Sequence, residues 1–379
     1  MKILMTLANP FTHDPRVYNE ALSLIKAGHK VTVLAWDREN KNTPFEIKEG
    51  INIVRSYNTK FMNLAKHDIF KMQLWWKKGY KDALKLLKDK EFDVIHSHDL
   101  SSLSIGVKLK KKLGLPLIYD AHEIFGYMIV NNVPKIFSNA AFSTEKKWVK
   151  HVDQIITVNE PLSDYFKSIS DKPITIVMNC KPLQGTSYIA PCNDKFTLLY
   201  LGSLDKNRFL LEIVDVVSEI TGVHCIIGGK GKPEYVNILK EKCSNAPNVD
   251  FLGLIPINDV LPMTKKADVI ISMTSPYDLN CSRASANKQF EAMACGRPII
   301  CTKGTYPGEL TEKEKCGLLT EYDKESLKKI IIKLRDDPNL CEELGKNSLK
   351  AAIKEYNWEK QEEKLIKLYK EIEKSRRKN

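Results

Sequence analysis

Three histidines stand where short apolar runs end. They are His96 and His98 in His96-Ser97-His98-Asp99, and His122 in Tyr119-Asp120-Ala121-His122-Glu123. An imidazole beside a carboxylate can move a proton near neutral pH or hold a metal ion. His96, His98, Asp99 and His122 are all ligand types, but the H-x-H pair lacks the further ligand spacing of a zinc motif, so no metal is expected. Capping or packing is the plainer role for any one histidine. Three at neighbouring run ends put a place where a reacting group is met on an equal footing with that plainer role. A further polar segment, Asn9-Pro10-Phe11-Thr12-His13-Asp14-Pro15-Arg16, follows the first apolar run.

The second half offers a different chemistry. Tyr200-Leu201-Gly202-Ser203 and Ile227-Gly228-Gly229-Lys230-Gly231 each place glycine after an apolar run. Glycine there lets the backbone approach a phosphate, and a following helix start would attract its charge. A plain turn is the alternative, since neither segment is a full G-x-G-x-x-G or Walker A loop. In Ser285 to Pro298, a polar helix start runs into a small-residue face and stops at Gly296. Glu291 stands there among apolar residues, placed to accept two hydrogen bonds from a diol such as a ribose; a helix-dipole partner is the alternative.

These residues need a scaffold. Apolar runs at 2–7, 30–34, 51–54, 94–96, 117–119, 155–158 and 174–178 alternate with amphipathic stretches, which predicts βαβ repetition and a parallel sheet. The helix from Pro15 to Lys26 is marked by Asp14 as cap, Pro15 at its first position and Gly28 beyond its end. After a Pro/Gly/Ser-containing stretch at 181–194 the plan repeats, with strands expected at 196–201, 223–227, 249–252, 269–272 and 298–301. Two Rossmann-like domains follow, with ligands expected beyond the carboxyl ends of the strands. From Asp337 to Lys374 the pattern is helical, broken at Asn357-Trp358, and a charged run closes the chain.

Length and composition agree. The 379 residues exceed one hydrophobic core, and 43% hydrophobic with 28% charged residues describes an ordinary globular chain. No apolar run approaches the ~20 residues of a membrane span, and the first residues lack a signal-peptide core, so a cytoplasmic place is expected. The nine cysteines all lie from Cys180 onward without a C-x-x-C pair, which suggests reduced thiols. A net charge of +12 favours acidic partners. With no aromatic RNP-type pattern and no helix-turn-helix, nucleic acid is not expected among them.

Residues 60–90 carry Lys60, Lys66, Lys71, Lys77, Lys78, Lys81, Lys85, Lys88 and Lys90. Ile69, Met72, Trp76, Tyr80, Ala83 and Leu87 form a helical stripe for burial, leaving Phe70, Leu74 and Trp75 beside it. That surplus suits an anionic membrane surface or a lipid-linked acceptor at the inner membrane face. A core helix with a solvated lysine face is the alternative.

Together these segments resemble a known family. Asp14-Pro15-Arg16-Val17, the G-H-K-V-T-V-L of 28–34, His96 to Asp99 and Tyr119 to Glu123 are similar to the N-terminal domain of group 1, family-four glycosyltransferases. Asn287 to Pro298 (N-K-Q-F-E-A-M-A-C-G-R-P) is similar to their C-terminal domain and is the most specific block. The resemblance implies the α/β GT-B fold: two facing Rossmann-like domains with parallel sheets, here 1–180 for the acceptor and 181–357 for the donor. A C-terminal helix at 358–379 would cross back to the first domain. It further implies a nucleotide-sugar donor, no cofactor, no metal and retention of configuration.

By position, Glu291 would bind the donor ribose, while Gly202, Ser203, Gly229, Asn287 and Lys288 would approach the diphosphate, with Arg208 as its cation. His122 would contact the donor sugar. Asp14, Arg16 and His98 fall on the acceptor side, and an inverting reaction would need a base such as Asp99, His98 or Glu123 there. The family often has glutamate where this chain has Arg283, arginine where it has Ser203 and lysine near Phe209; these positions bear on the donor sugar and the phosphate contacts.

The expected activity is transfer of a sugar from a UDP- or GDP-linked donor to a glycan or lipid-linked acceptor, in cell-surface polysaccharide or glycoconjugate synthesis. A nucleotide-sugar epimerase of the same fold and a non-catalytic nucleotide- or glycan-binding module are the rivals. A dehydrogenase ranks below them for want of a strand-to-helix G-x-G-x-x-G.

Overall fold

A computed structural model describes residues 1–65, 68–89, 91–131 and 133–378. The chain divides into two units, Met1–Val177 with Glu362–Asn379, and Met178–Gln361. Lys66 and Lys90 of the basic stretch, and Asn379, lie outside the described residues.

The first unit runs β1 (Lys2–Leu7), α1 (Pro15–Lys26), β2 (Lys30–Asp37), β3 (Phe45–Lys48), β4 (Ile51–Tyr57), α2 (Lys60–Leu64), α3 (Asp68–Asp89), β5 (Val94–His98) and α4 (Asp99–Leu113). It continues with β6 (Leu117–Ala121), α5 (Phe125–Ile129), α6 (Lys135–Trp148), β7 (Gln154–Thr157), α7 (Glu160–Ile169) and β8 (Ile174–Ile176). The strands form one sheet in the order β3-β4-β2-β1-β5-β6-β7-β8. All neighbours are parallel except the short edge strand β3, which returns antiparallel on β4. Near-continuous burial of β1, β2, β5 and β6 is what a sheet covered on both faces requires.

The second unit runs β9 (Phe196–Leu204), α8 (Leu210–Ser218), β10 (Val223–Gly231), α9 (Pro233–Ser244), β11 (Val249–Gly253), α10 (Ile257–Lys266), β12 (Val269–Ser272), α11 (Leu279–Arg283) and α12 (Asn287–Cys295). β13 (Ile299–Thr302), α13 (Tyr306–Glu314), β14 (Gly317–Thr320), α14 (Lys324–Asp336) and α15 (Pro338–Lys354) follow. Its all-parallel sheet, β11-β10-β9-β12-β13-β14, is the doubly wound 3-2-1-4-5-6 order counted from β9. Strand order reverses between β9 and β12, and the corresponding reversal in the first unit lies between β1 and β5. The crevice beyond those strand ends is where such sheets bind ligands.

The last helix, α16 (Trp358–Lys378), starts after the break at Asn357. Its residues from Glu362 onward belong to the first unit, where Leu365, Leu368, Tyr369 and Ile372 are buried.

Some expectations need correction. β3 and β14 were not anticipated: each is four residues long, β3 is largely exposed, and β14 opens on a glycine. β9 and β10 run on through their glycines to Leu204 and Gly231 and stay paired, Gly229 opposite Gly202. A Cβ at Gly229 would lie 1.7 Å from the Gly202 carbonyl oxygen, so glycine is demanded there by strand-to-strand contact. Trp75 does not lie beside the buried stripe of α3; it is fully buried and stacks on Trp36 at 4.9 Å. Gly79 and Ala83 share its face, because α3 packs closely on α4 and a Cβ at Gly79 would meet Ile105 at 2.6 Å. Among the described residues the nine cysteines form no disulfide. Among the described residues no helix is long and apolar enough to cross a membrane.

Candidate functional site

In the first unit the strand ends gather a network centred on Asp120, the fourth residue of β6. Arg16, on the first turn of α1, donates from Nε to Asp120 Oδ2 at 3.1 Å and from Nη2 to Oδ1 at 2.8 Å. Its Nη1 donates to the Val177 carbonyl at 2.7 Å, and Nη2 lies 3.1 Å from Glu20 one turn along the helix. His98 Nδ1 lies 3.1 Å from Asp120 Oδ2, and His122 Nε2 lies 2.9 Å from the same oxygen. Asp99 faces the other side of His122, with Oδ2 at 3.3 Å from Nδ1 and Oδ1 accepting the His122 backbone N–H at 3.1 Å. Asp99 has φ of +57°, a left-handed conformation that costs a non-glycine residue about 1 kcal/mol or more and is often kept at functional sites.

Burial decides what each residue can do. Arg16, Glu20, His96, His98 and Asp120 are buried, whereas about a fifth of the His122 side chain reaches solvent. Arg16 and His98, expected on the acceptor side, are thus internal in this structure. Asp14 caps α1 by accepting from Val17 N at 3.1 Å and also accepts from Asn9 at 2.8 Å. Glu123 stands partly buried just before α5. His96 stacks on His98 at 4.3 Å and meets the Tyr369 hydroxyl of α16 at 2.9 Å.

The charges follow from these contacts. Burial pushes the Asp120 carboxyl up, but Arg16 and then His122 outweigh it and hold it well below the usual carboxylate range. Burial pulls His122 down, yet Asp99 and Asp120 together raise its pKa to about 10. Glu20, buried and facing Asp120, is pushed up to about 8 and is therefore a neutral acid at pH 7. Among the described residues Glu20, His96, His98 and Asp120 bring possible ligand atoms within 4.8 Å of one another. The Glu20 carboxyl and the Asp120 carboxylate of that group both face the Arg16 guanidinium.

In the second unit the reversal point carries a cationic corner. Lys288, the second residue of α12, is buried with Nζ 4.5 Å from the Tyr200 ring centre. A Cβ on Gly202 would sit 3.3 Å from that nitrogen, so the amine lies against the bare backbone of the β9 end. Among the described residues no carboxylate stands within 4 Å of it. Burial, then the neighbouring Arg208, lowers Lys288 to about 8. Arg208 sits on a single 3-10 turn between β9 and α8, 3.4 Å from Asp205. Gly202 and Ser203 are exposed, and Gly229 is partly so. Glu291, one turn along α12, is 3.5 Å from Lys181, which also donates to the exposed Asn287 at 3.4 Å. Two cations beside exposed glycine backbone can hold a diphosphate.

Sequence reasoning passed over Asp120, Glu20, Tyr369, Tyr200 and Lys181. Asp120 sits inside the noted Tyr119 to Glu123 block. Glu20 had a signal as well, being an acid four residues after Arg16 on the apolar face of α1. Tyr369 lies 273 residues from its partner His96, a pairing that no local pattern encodes.

Comparison with known proteins agrees with this architecture. Residues 16–180 match the family described as Glycosyltransferase Family 4, and residues 195–337 match Glycosyl transferases group 1. The chain is 25% identical over 343 residues to the alpha-monoglucosyldiacylglycerol synthase of Streptococcus pneumoniae, covering 81% of this chain and 73% of that one. Sucrose-phosphate synthase of Thermosynechococcus elongatus superposes with a TM-score of 0.82 at 17% identity, over 99% of this chain and all of that one. HepE of Anabaena, solved with UDP and glucose, gives a TM-score of 0.75 at 15% identity, over 98% of this chain and all of that one. With its two α/β units and the two matches spanning most of its length, the chain belongs to the group 1, family-four glycosyltransferases of the GT-B fold.

Proposed function

We propose that the protein transfers a glycosyl group from a nucleoside diphosphate sugar to a hydroxyl of a glycan or lipid-linked acceptor, without a metal ion and with retention. The observation that carries this reading is the buried amine of Lys288, with no carboxylate within 4 Å among the described residues, beside Arg208 at the β9 end. A nucleoside diphosphate is already a good leaving group, so the chemistry chiefly asks for positive charge on the departing phosphate and an aligned acceptor. The acceptor oxygen bonds to the anomeric carbon, the bond from that carbon to the diphosphate oxygen breaks, and the hydroxyl proton leaves with the diphosphate. In this assignment Lys288, Arg208 and the Gly202, Ser203 and Gly229 backbone hold the diphosphate, Asn287 lies beside it, and Glu291 takes the ribose hydroxyls. His122 is the catalytic residue of the first unit, with Asp99 and Glu123 beside it.

UDP is the first donor base to try, because the Anabaena relative was solved with UDP and glucose. A lipid acceptor is favoured by the pneumococcal relative's name and by exposed Phe61, Leu64 and Phe70 near Lys60 and Lys71 in the first unit. Exposed Ile136 and Phe137 beside Lys135 add a second apolar edge. These suit contact with an anionic membrane and a role in cell-surface glycoconjugate synthesis.

The test is a thermal-shift panel of UDP, GDP, ADP, NAD and their sugar conjugates in EDTA, where ligand at 100 times its Kd adds about 2.7 kcal/mol of stability. Stabilisation by one nucleoside diphosphate, lost in Lys288→Ala, is expected. Stabilisation by NAD alone, or by a diphosphate only when metal is added, refutes the reading.

A further inference from the structure

We infer that Asp120 is the positioning residue for His122, and that with Asp99 it keeps the imidazole doubly protonated, so that His122 serves transfer as a fixed cation and not as a proton acceptor. The role in transfer rests on the glycosyltransferase reading above; the protonation state does not.

The argument begins with donors and acceptors. An ionised carboxylate only accepts hydrogen bonds, so a ring nitrogen held against one must carry a proton. Both nitrogens of His122 face carboxylates, Nε2 at 2.9 Å from Asp120 and Nδ1 at 3.3 Å from Asp99. The Nε2 contact is a hydrogen bond and the Nδ1 contact an ion pair, so a proton on Nδ1 is held by the Asp99 charge and the ring is not set to receive one from an acceptor hydroxyl. The backbone N–H of His122 is held by Asp99 as well, which fixes the ring from two directions.

Asp120 is suited to this duty because its own charge is secured. Arg16 grips it through two nitrogens, and His98 adds a third donor from β5. Among the described residues the charged and titratable groups around His122 are Arg16 and Glu20 from α1, His96 and His98 from β5, Asp99 from α4 and Asp120 from β6. With Glu20 protonated, Arg16 and His122 balance Asp99 and Asp120. A neutral His122 would leave two carboxylates against one guanidinium in a largely buried place, where an uncompensated charge is costly.

The experiment is a long-range proton–nitrogen spectrum of histidine-labelled full-length protein, followed from about pH 6 to pH 9, beside the pH profile of kcat. His122, assigned through His122→Gln, is expected to show two protonated ring nitrogens throughout, and kcat to show no acid limb from its titration. Asp120→Asn and the more exposed Asp99→Asn each remove one clamp and lower the histidine pKa, so the imidazole then loses its proton within that range. In these variants kcat should fall roughly tenfold between the acid and alkaline ends, with donor KM within about twofold of wild type. Asp99→Asn keeps the test decisive if Asp120→Asn does not fold. An unprotonated ring nitrogen in the wild type near pH 8, or a kcat lowered equally at every pH in Asp99→Asn, overturns the inference. Absence of transfer with every donor would sink the glycosyltransferase reading, and the spectrum would still decide the state of His122.

Discussion

At Glu20 the folded chain holds a carboxyl that water would ionise. Burial and Asp120 raise its pKa from 4.5 to about 8, so the folded state binds a proton there that the unfolded chain has lost at neutral pH. The sign follows: the contribution is fully present below about pH 4.5 and is lost as the pH climbs through 8. Glu20→Gln should therefore flatten the decline in Tm between pH 6 and pH 9, to an extent on the order of a few degrees, read by calorimetry. At the same scale, His122→Ala should reduce transfer by about 100-fold or more while nucleotide affinity stays within about twofold. Glu291→Ala should weaken nucleotide binding by about tenfold, measured by titration calorimetry, because it removes the partner proposed for the ribose. His122 was legible as a candidate because it stands in a short motif just past β6, and Lys288 and Glu291 because they lie in the polar helix start that leads through Gly296 into β13. Asp120 and Glu20 stayed out of view, since their importance comes from what three-dimensional packing presses against them.

Elements explain why some motifs were read well and others only in part. α1 was found to the residue because its cap, its first-turn proline and the glycine beyond its end all lie in local sequence. The glycines of β9 and β10 were read as strand ends, yet they continue the ladder. A local pattern carries no notice that a neighbouring backbone will press against it. Two alanine substitutions separate the cases. Gly229→Ala places a methyl into the Gly202 carbonyl at a positive φ and should cost about 3 kcal/mol or more, with loss of nucleotide binding. Gly79→Ala gains helix propensity, but its methyl would lie 2.6 Å from the flexible tip of Ile105 and 3.3 Å from the buried Trp75 ring, so denaturant melts should register a smaller loss of about 1 to 2 kcal/mol. Trp75 teaches a related lesson: periodicity on α3 missed the deepest face by one residue, because contact with Trp36 and α4 set the helix rotation.

For the molecule as a whole, the +12 charge and the exposed apolar residues of α2 and α3 predict binding to anionic vesicles that weakens as salt shortens the Debye length from about 30 Å to about 8 Å. Phe61→Ser with Leu64→Ser should remove most of that binding in a flotation assay; unchanged flotation would rule out this surface. Removing residues 362–379 would take away the buried Leu365, Leu368, Tyr369 and Ile372 and bare the apolar surface they cover, at roughly 1.5 to 3 kcal/mol per side chain, and should unfold the first unit as followed by near-ultraviolet circular dichroism. That last helix also sets the order in which the protein can be made. A ribosome delivers all eight strands of the first sheet early, but the helix that seats Tyr369 on His96 emerges only after the entire second sheet. The nascent chain therefore completes its later half before its earlier one. A product cut short by a stalled message or a clipped tail is left with its unfinished core in the half that holds His122.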